Sequence, residues 1–349
     1  NVDYHQSHGL TGKLKAGIDF IYNAEACNKL NTLLLEQRPD IVHFHNIYHQ
    51  LTPALIGVAK RFGCKTVLTA HDYKIVCPSY TMLRDGHVCD DCLTGSVSNA
   101  FRHRCQQGDT FKSLLLSLEA YWQKFAQNYA MLDCIIAPSE FMRQTLLRKL
   151  PRSRIDVIVN GIDASTTVPG DTAGDYFLYI GRLSREKGVA TLALAQQKMQ
   201  QSMPLKIVGD GPLGSDLRAR FSGPEFLGYM RHGEALNALI RGARAVIVPS
   251  EYYENCSMSV LEAMAFGRPV VGGNIGGIPE QIRDGIDGYL VEPGDADALA
   301  RIMDSLAANP QQAREMGINA RQRLEDKYDL ARHMQVLQEL YQQLVGEAK

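Results

Sequence analysis

The sequence predicts an α/β protein built from two doubly wound domains, and three observations carry that expectation. Short β-branched runs alternate with longer amphipathic segments, the pattern of parallel βα units. The chain has 349 residues, more than one hydrophobic core usually serves, so two domains of roughly 150–200 residues follow. The stretch NGIDASTTVPGDTAGD, residues 160–175, is rich in Gly, Thr and Asp, poor in apolar residues, and reads as the linker.

In the first domain, placed at 1–163, DIVHFH, KTVLTA, CIIAPS and DVIVNG read as buried strands, with helices over 11–37, 53–62 and 139–149. In the second, placed at 164–330, the strands are YFLYIGR, LKIVGDG, EFLG, AVIVPS, PVVGG and GYLVE. A helical tail starts near Asp295, and its last part, 331–349, is expected to pack back on the first domain. In sheets of this kind ligands bind beyond the carboxyl ends of the strands. The loops there, and a cleft between facing domains, are therefore where function is sought.

Composition narrows the classes. A net charge of −1 and a pI near 6.9 argue against a nucleic-acid protein, which usually carries a strongly basic face. No apolar run reaches the roughly 18 residues that span a bilayer, and no secretory signal opens the chain. Eight cysteines in such a chain read as reduced thiols or metal ligands rather than a disulfide framework. A cytoplasmic protein is expected.

The stretch PSEYYENCSMSVLEAMAFGRPVV places Glu254 and Glu262 around a run expected to be helical from Ser257 to Phe266. Eight residues of helix separate two backbones by about 12 Å, beyond the roughly 5–9.5 Å of a hydrolase carboxylate pair. One reading leaves Glu254 as a helix cap and Glu262 as a solvated acid. The other uses the neighbours. Asn255, Cys256, Ser257 and Met258 would offer backbone N–H groups at a helix start, which suits an anion, while ionised carboxylates accept hydrogen bonds from sugar hydroxyls.

At this point the sequence resembles the retaining glycosyltransferases of family 4, which have the GT-B fold. YIGRLSREKGV, IVGDGP, EFLGYM, VPSEYYENCSMSVLEAMAFGRPVV and GGIPEQIRDGIDGYLVEPGD occur in the family's order. TAHDY and NGID add matches in the first half. The resemblance implies that Arg182 and Lys187 hold the donor diphosphate. Two fixed cations stabilise negative charge as it develops on such a leaving group. It implies that Glu262 binds the donor ribose, that Glu254 faces the donor sugar, and that the backbone of Asn255, Cys256, Ser257 and Met258 holds sugar and phosphate. Gly181, Gly209, Asp210 and Gly211 lie at strand ends where the main chain meets the ligand, and Leu227, Gly228 and Tyr229 match the nucleobase segment. His71 would reach the donor from the first domain, with Asp72, His45 and His49 on the acceptor side. His43 and His45 alternate on a strand and share a face; an acceptor-side or structural role is preferred to metal for them.

Family members open with a strand and a Gly-rich loop, and nothing before DIVHFH supplies either. The first domain is therefore read as lacking its N-terminal strand or strands, which predicts an exposed sheet edge and apolar surface there. Cys77, Cys89, Cys92 and Cys105 fall close together, with one C-x2-C spacing. They read either as plain thiols or as a structural zinc site, with His87 and His103 as substitute ligands. No metal is expected for catalysis. The segment FKSLLLSLEAYWQKFAQNYA is expected to be a core helix of the first domain; the alternative is a surface helix that leans on a membrane.

The functional expectation is transfer of a sugar from a UDP-, GDP- or ADP-sugar to a glycan or lipid-linked glycan, with retention at the anomeric carbon. A place at the inner face of the cytoplasmic membrane would suit such an acceptor. The alternatives are a nucleotide-sugar epimerase on the same fold and a binding module without catalysis. A dehydrogenase is disfavoured, because no strand-linked G-x-G-x-x-G with a following ribose acid is present.

Overall fold

The computed structural model describes residues 17–48 and 50–347. His49, an expected acceptor-side residue, lies outside the described residues. The chain divides into two compact units. One comprises the residues up to Arg84, Cys89–Ile158 and Val336 onward; the other comprises Asp85–Val88 and Val159–Gln335.

Along the first half come β1 (Ile41–His45), β2 (Lys65–Thr69), a short ribbon of β3 (Leu83–Arg84) and β4 (His87–Val88), β5 (Cys134–Ala137) and β6 (Ile155–Val157). The sheet of the first unit runs β1-β2-β5-β6 and is parallel throughout. Its central strands read as continuous apolar runs because both faces are covered; every residue of β5 is buried. Leu340 and Leu344, from the helix Leu330–Gly346, pack with Val67, Cys134 and Ile136. Among the described residues β1 is a sheet edge, and only Phe44 of its five residues is buried.

The second half supplies β7 (Phe177–Ile180), β8 (Leu205–Val208), β9 (Glu225–Gly228), β10 (Ala245–Val248), β11 (Val270–Gly273) and β12 (Gly288–Val291). They form one parallel sheet in the order β12-β11-β10-β7-β8-β9. The chain steps outward from β7 to β9, then returns beside β7 and steps the other way. The direction therefore reverses between β7 and β10, the place where such sheets open a crevice for a ligand. One face is covered by a core containing Val260, Leu261, Met264 and Leu324, the other by a core containing Leu192, Leu299 and Met303.

Two expectations change. Residues 160–175 are not a free linker. Arg244 donates to the carbonyls of Ala173 (2.7 Å) and Gly174 (3.0 Å), and Arg321 donates to that of Ala164 (2.7 Å). Gly174, at φ +67°, lies against the Ala243 backbone with no room for a Cβ. Arginines hold much of this stretch, with Ile162 and Ala164 on the core, which is why its composition looks loose. The segment expected as a core helix forms Thr110–Phe125, but four of its five buried residues are Ser113, Ser117, Glu119 and Gln123.

Candidate functional site

The ends of β7 and β10 meet at the reversal. Gly188, at φ +68°, packs so closely on Pro249 that a Cβ would lie 1.9 Å from its carbonyl oxygen. The Glu251 amide donates to the Glu186 carbonyl (2.8 Å). The loop after β7, which carries Arg182 and Lys187, is thus locked to the loop after β10, which carries Glu254.

Glu254 is buried. It does not cap the helix that follows. Its Oε1 accepts from Lys187 Nζ (2.7 Å) and Ser250 Oγ (2.8 Å), and its Oε2 from the Tyr252 hydroxyl (3.0 Å). Lys187 Nζ also lies 2.9 Å from the Tyr252 hydroxyl oxygen. An ammonium has three N–H donors, so two partners leave one for a ligand. Burial, reinforced by the Glu254 charge, keeps the Tyr252 phenol protonated, well above its ordinary value. Arg182 is exposed, and no side-chain partner engages its guanidinium among the described residues.

The helix Met258–Ala265 starts beside this cluster, and Ser259 Oγ donates to the Ile180 carbonyl at the end of β7 (3.2 Å). Its N-cap, Ser257, makes no capping side-chain bond, so the first-turn amides keep their donors. The expected amide row is narrower than the sequence suggested. The Ser257 N–H is already taken by Gln281 Oε1 (2.8 Å), and Cys256 is buried in the core with its thiol pushed up to about 12 by burial. Asn255 is half-buried and Met258 is exposed.

Glu262, one turn into that helix, is largely shielded, with His232 Nδ1 3.8 Å from Oε1. Burial raises its pKa and His232 partly offsets this. A carboxyl with a raised folded-state pKa loses stabilising free energy as pH climbs from the unfolded value through the folded one. Glu262→Gln is therefore expected to melt higher than the parent at neutral pH, the gain fading below the usual carboxylate range. A melting series from pH 4 to 8 checks the sign.

Glycines finish the floor. A Cβ on Gly209 (φ +136°) would sit 1.9 Å from the Gly181 carbonyl oxygen, and one on Gly211 would meet the Leu183 backbone. The Gly209 amide donates to the Gly228 carbonyl (2.8 Å), and the Asp210 carboxylate accepts from the Gly211 amide (2.8 Å). The ends of β7, β8 and β9 are thus bare backbone on one side. Leu227 is half-buried at this rim and Tyr229 is exposed. Sequence reasoning missed Ser250, Tyr252, His232 and Gln281. Each acts through a hydrogen bond or charge that no spacing encodes.

In the first unit His45 Nδ1 and His71 Nε2 lie 2.8 Å apart, one nitrogen donating and the other accepting. Burial lowers both pKa values, and each ring is pressed toward its neutral form. His43 bonds Thr69 Oγ1 (2.8 Å) and the Tyr341 hydroxyl, a structural role. Asp72 accepts from the Lys74 amide (2.9 Å), so its carboxylate is already engaged within this unit, and burial raises its pKa. Of Cys77, Cys89, Cys92 and Cys105, Cys92 lies against both Cys77 and Cys105. Cys77 Sγ lies 3.2 Å from Ser79 Oγ, while Cys89 sits beside Asp91 and Arg84. Among the described residues no group of three or more His, Cys, Asp or Glu is arranged to hold a metal ion. Sequence spacing does not encode the direction in which each sulfur points.

Two family models match in succession: Glycosyltransferase Family 4 over residues 12–166 and Glycosyl transferases group 1 over residues 169–323. The chain belongs to the GT-B glycosyltransferases. It is 29% identical over 246 residues to an alpha-maltose-1-phosphate synthase of Mycolicibacterium smegmatis, covering 61% of this chain and 63% of that one. Among solved structures it resembles sucrose-phosphate synthase from Thermosynechococcus elongatus (TM-score 0.70, 21% identity, 92% of this chain and 77% of that). It also resembles HepE of Anabaena in complex with UDP-glucose (TM-score 0.66, 18% identity, 91% and 82%). At these identities the structural likeness speaks to the glycosyltransferase fold alone.

Proposed function

We propose that this glycosyltransferase is a retaining enzyme of family 4 that moves a sugar from a nucleotide-sugar donor to a glycan or lipid-linked glycan. The observation that carries the reading is the Lys187–Glu254 pair at the sheet reversal, with Arg182, which no described side chain engages, on the same loop. Arg182 and the remaining Lys187 donor meet the departing diphosphate, helped by the first-turn amides of Met258–Ala265. Glu262, a shielded acceptor, takes the ribose hydroxyls, which repay its desolvation. Glu254, held on three sides, offers its remaining acceptor capacity to a donor-sugar hydroxyl. The structural neighbour crystallised with UDP-glucose supports a nucleotide-sugar as donor. No step assigned to these residues requires a metal ion.

The test is a thermal-shift screen of UDP-, GDP- and ADP-sugars, followed by product analysis with the best donor. A ligand at 100 times its dissociation constant adds about 2.7 kcal/mol, a rise of roughly 5–10 °C for domains of this size. Sugar transfer with the donor's anomeric configuration kept is the expected product. A rearranged nucleotide-sugar with no transfer would point to an epimerase, and tight binding without turnover to a binding module.

A further inference from the structure

The helix Thr110–Phe125 is amphipathic the wrong way round. Its buried polar groups are satisfied inside the first unit. Ser113 Oγ donates to Asp109 O (2.7 Å), Ser117 Oγ to Val97 O (3.1 Å) and Gln123 Nε2 to Ile21 O (3.3 Å). Glu119 meets Lys74 at 2.9 Å. Outward, at helical spacing, stand Phe111, Leu114, Leu118, Tyr121, Trp122 and Phe125, from 36% to 81% exposed. Soluble surfaces rarely leave such a contiguous stripe uncovered.

Cations border it. Arg102 and Lys124 both face the Tyr121 phenol, whose hydroxyl bonds Ser96 Oγ (2.6 Å). Lys124 and Arg148 face Lys149. Lys124 and Lys149 also line a cavity of about 560 Å³, and the carboxylate that lines it, Glu119, is already neutralised by Lys74. The Tyr129 hydroxyl, on the same wall, is buried without a hydrogen-bond partner.

We propose that this face of the first unit seats on an anionic lipid bilayer, its aromatic and leucine side chains in the headgroup boundary and Arg102, Lys124, Arg148 and Lys149 on the lipid phosphates. Tyr and Trp favour that boundary, an apolar body facing chains and a polar tip facing water. A helix of 16 residues with cations along its margin lies in the interface plane, and no described helix is long and apolar enough to cross a membrane. A second copy fits less well, because a two-fold contact would set the same cations against one another. The cavity beside Lys124 and Lys149 gives a headgroup phosphate a seat. The inference does not depend on the donor site.

Trp122 is the chain's one tryptophan, so its fluorescence reports directly. The full chain is mixed with vesicles of equal parts phosphatidylglycerol and phosphatidylcholine, or of phosphatidylcholine alone, and floated on a density gradient. Expected are a blue-shifted emission and flotation with the anionic vesicles, both suppressed by high salt. Lys124→Ala with Lys149→Ala should weaken partitioning roughly fivefold per cation. Phe125→Ser with Leu118→Ser should weaken it on the order of tenfold. Lys124, Leu118 and Phe125 are exposed, and half-buried Lys149 gives up only its bond to the Gly95 carbonyl (3.0 Å), so the circular dichroism spectrum should stay unchanged. An unshifted emission without flotation would overturn the proposal, as would equal response to phosphatidylcholine alone. A shift that grows with protein concentration without lipid would give the face to a second copy instead.

Discussion

Lys187→Ala is expected to lower sugar transfer by roughly 10²–10³-fold, the usual cost of deleting one preorganised donor to developing charge. It should also destabilise the ligand-free protein by about 1–3 kcal/mol, because a buried carboxylate loses a charged partner. The geometry separates the two effects. Lys187 lies 2.7 Å from Glu254 Oε1, and the Glu254 side chain is only 10% exposed. Adding Glu254→Gln to Lys187→Ala removes the stranded charge, since Ser250 can still donate to the amide oxygen. The double variant should recover most of the melting temperature and none of the activity. Chemical denaturation of the single and double variants, beside turnover assays, reads both quantities.

Arg182→Ala should behave differently. Its guanidinium is exposed, and no described side chain engages it. The fold should therefore shift by no more than about 0.5 kcal/mol, as for other surface substitutions without partners. Transfer should still fall by a factor on the order of 10²–10³, with the loss appearing in donor affinity as well as turnover. Arg182→Lys should restore only part of this, because a single ammonium cannot reproduce a bidentate grip on phosphate oxygens. Equal losses of stability and activity would mean that Arg182 is structural, against the geometry.

The sheets were legible because their strands are short β-branched runs bounded by Gly and Pro, and all ten runs read as strands in the sequence form strands. The reversal between β7 and β10 was not legible, since strand order depends on which crossovers pack where. Within the site, Arg182, Lys187, Glu254 and Glu262 could be named from motif register. What holds them could not. Ser250 and Tyr252 look like ordinary loop residues until their hydroxyls are seen on Glu254, and Gln281, 24 residues after Ser257, claims an amide expected to be open. The helix Thr110–Phe125 misled because periodicity shows that one face is apolar without showing which face is inside. The stretch 160–175 misled for the opposite reason: its packing partners are largely arginine side chains far along the sequence, so no apolar pattern marks it.

The central claim is that Arg182, Lys187 and the start of the helix Met258–Ala265 close on one diphosphate. A crystal structure of the protein with a bound nucleoside diphosphate tests it most directly. Diphosphate oxygens are expected within about 2.7–3.2 Å of both the Arg182 guanidinium and Lys187 Nζ, with the Glu262 carboxylate accepting from the ribose. A diphosphate bound elsewhere, with the Arg182 guanidinium still in solvent, would contradict it.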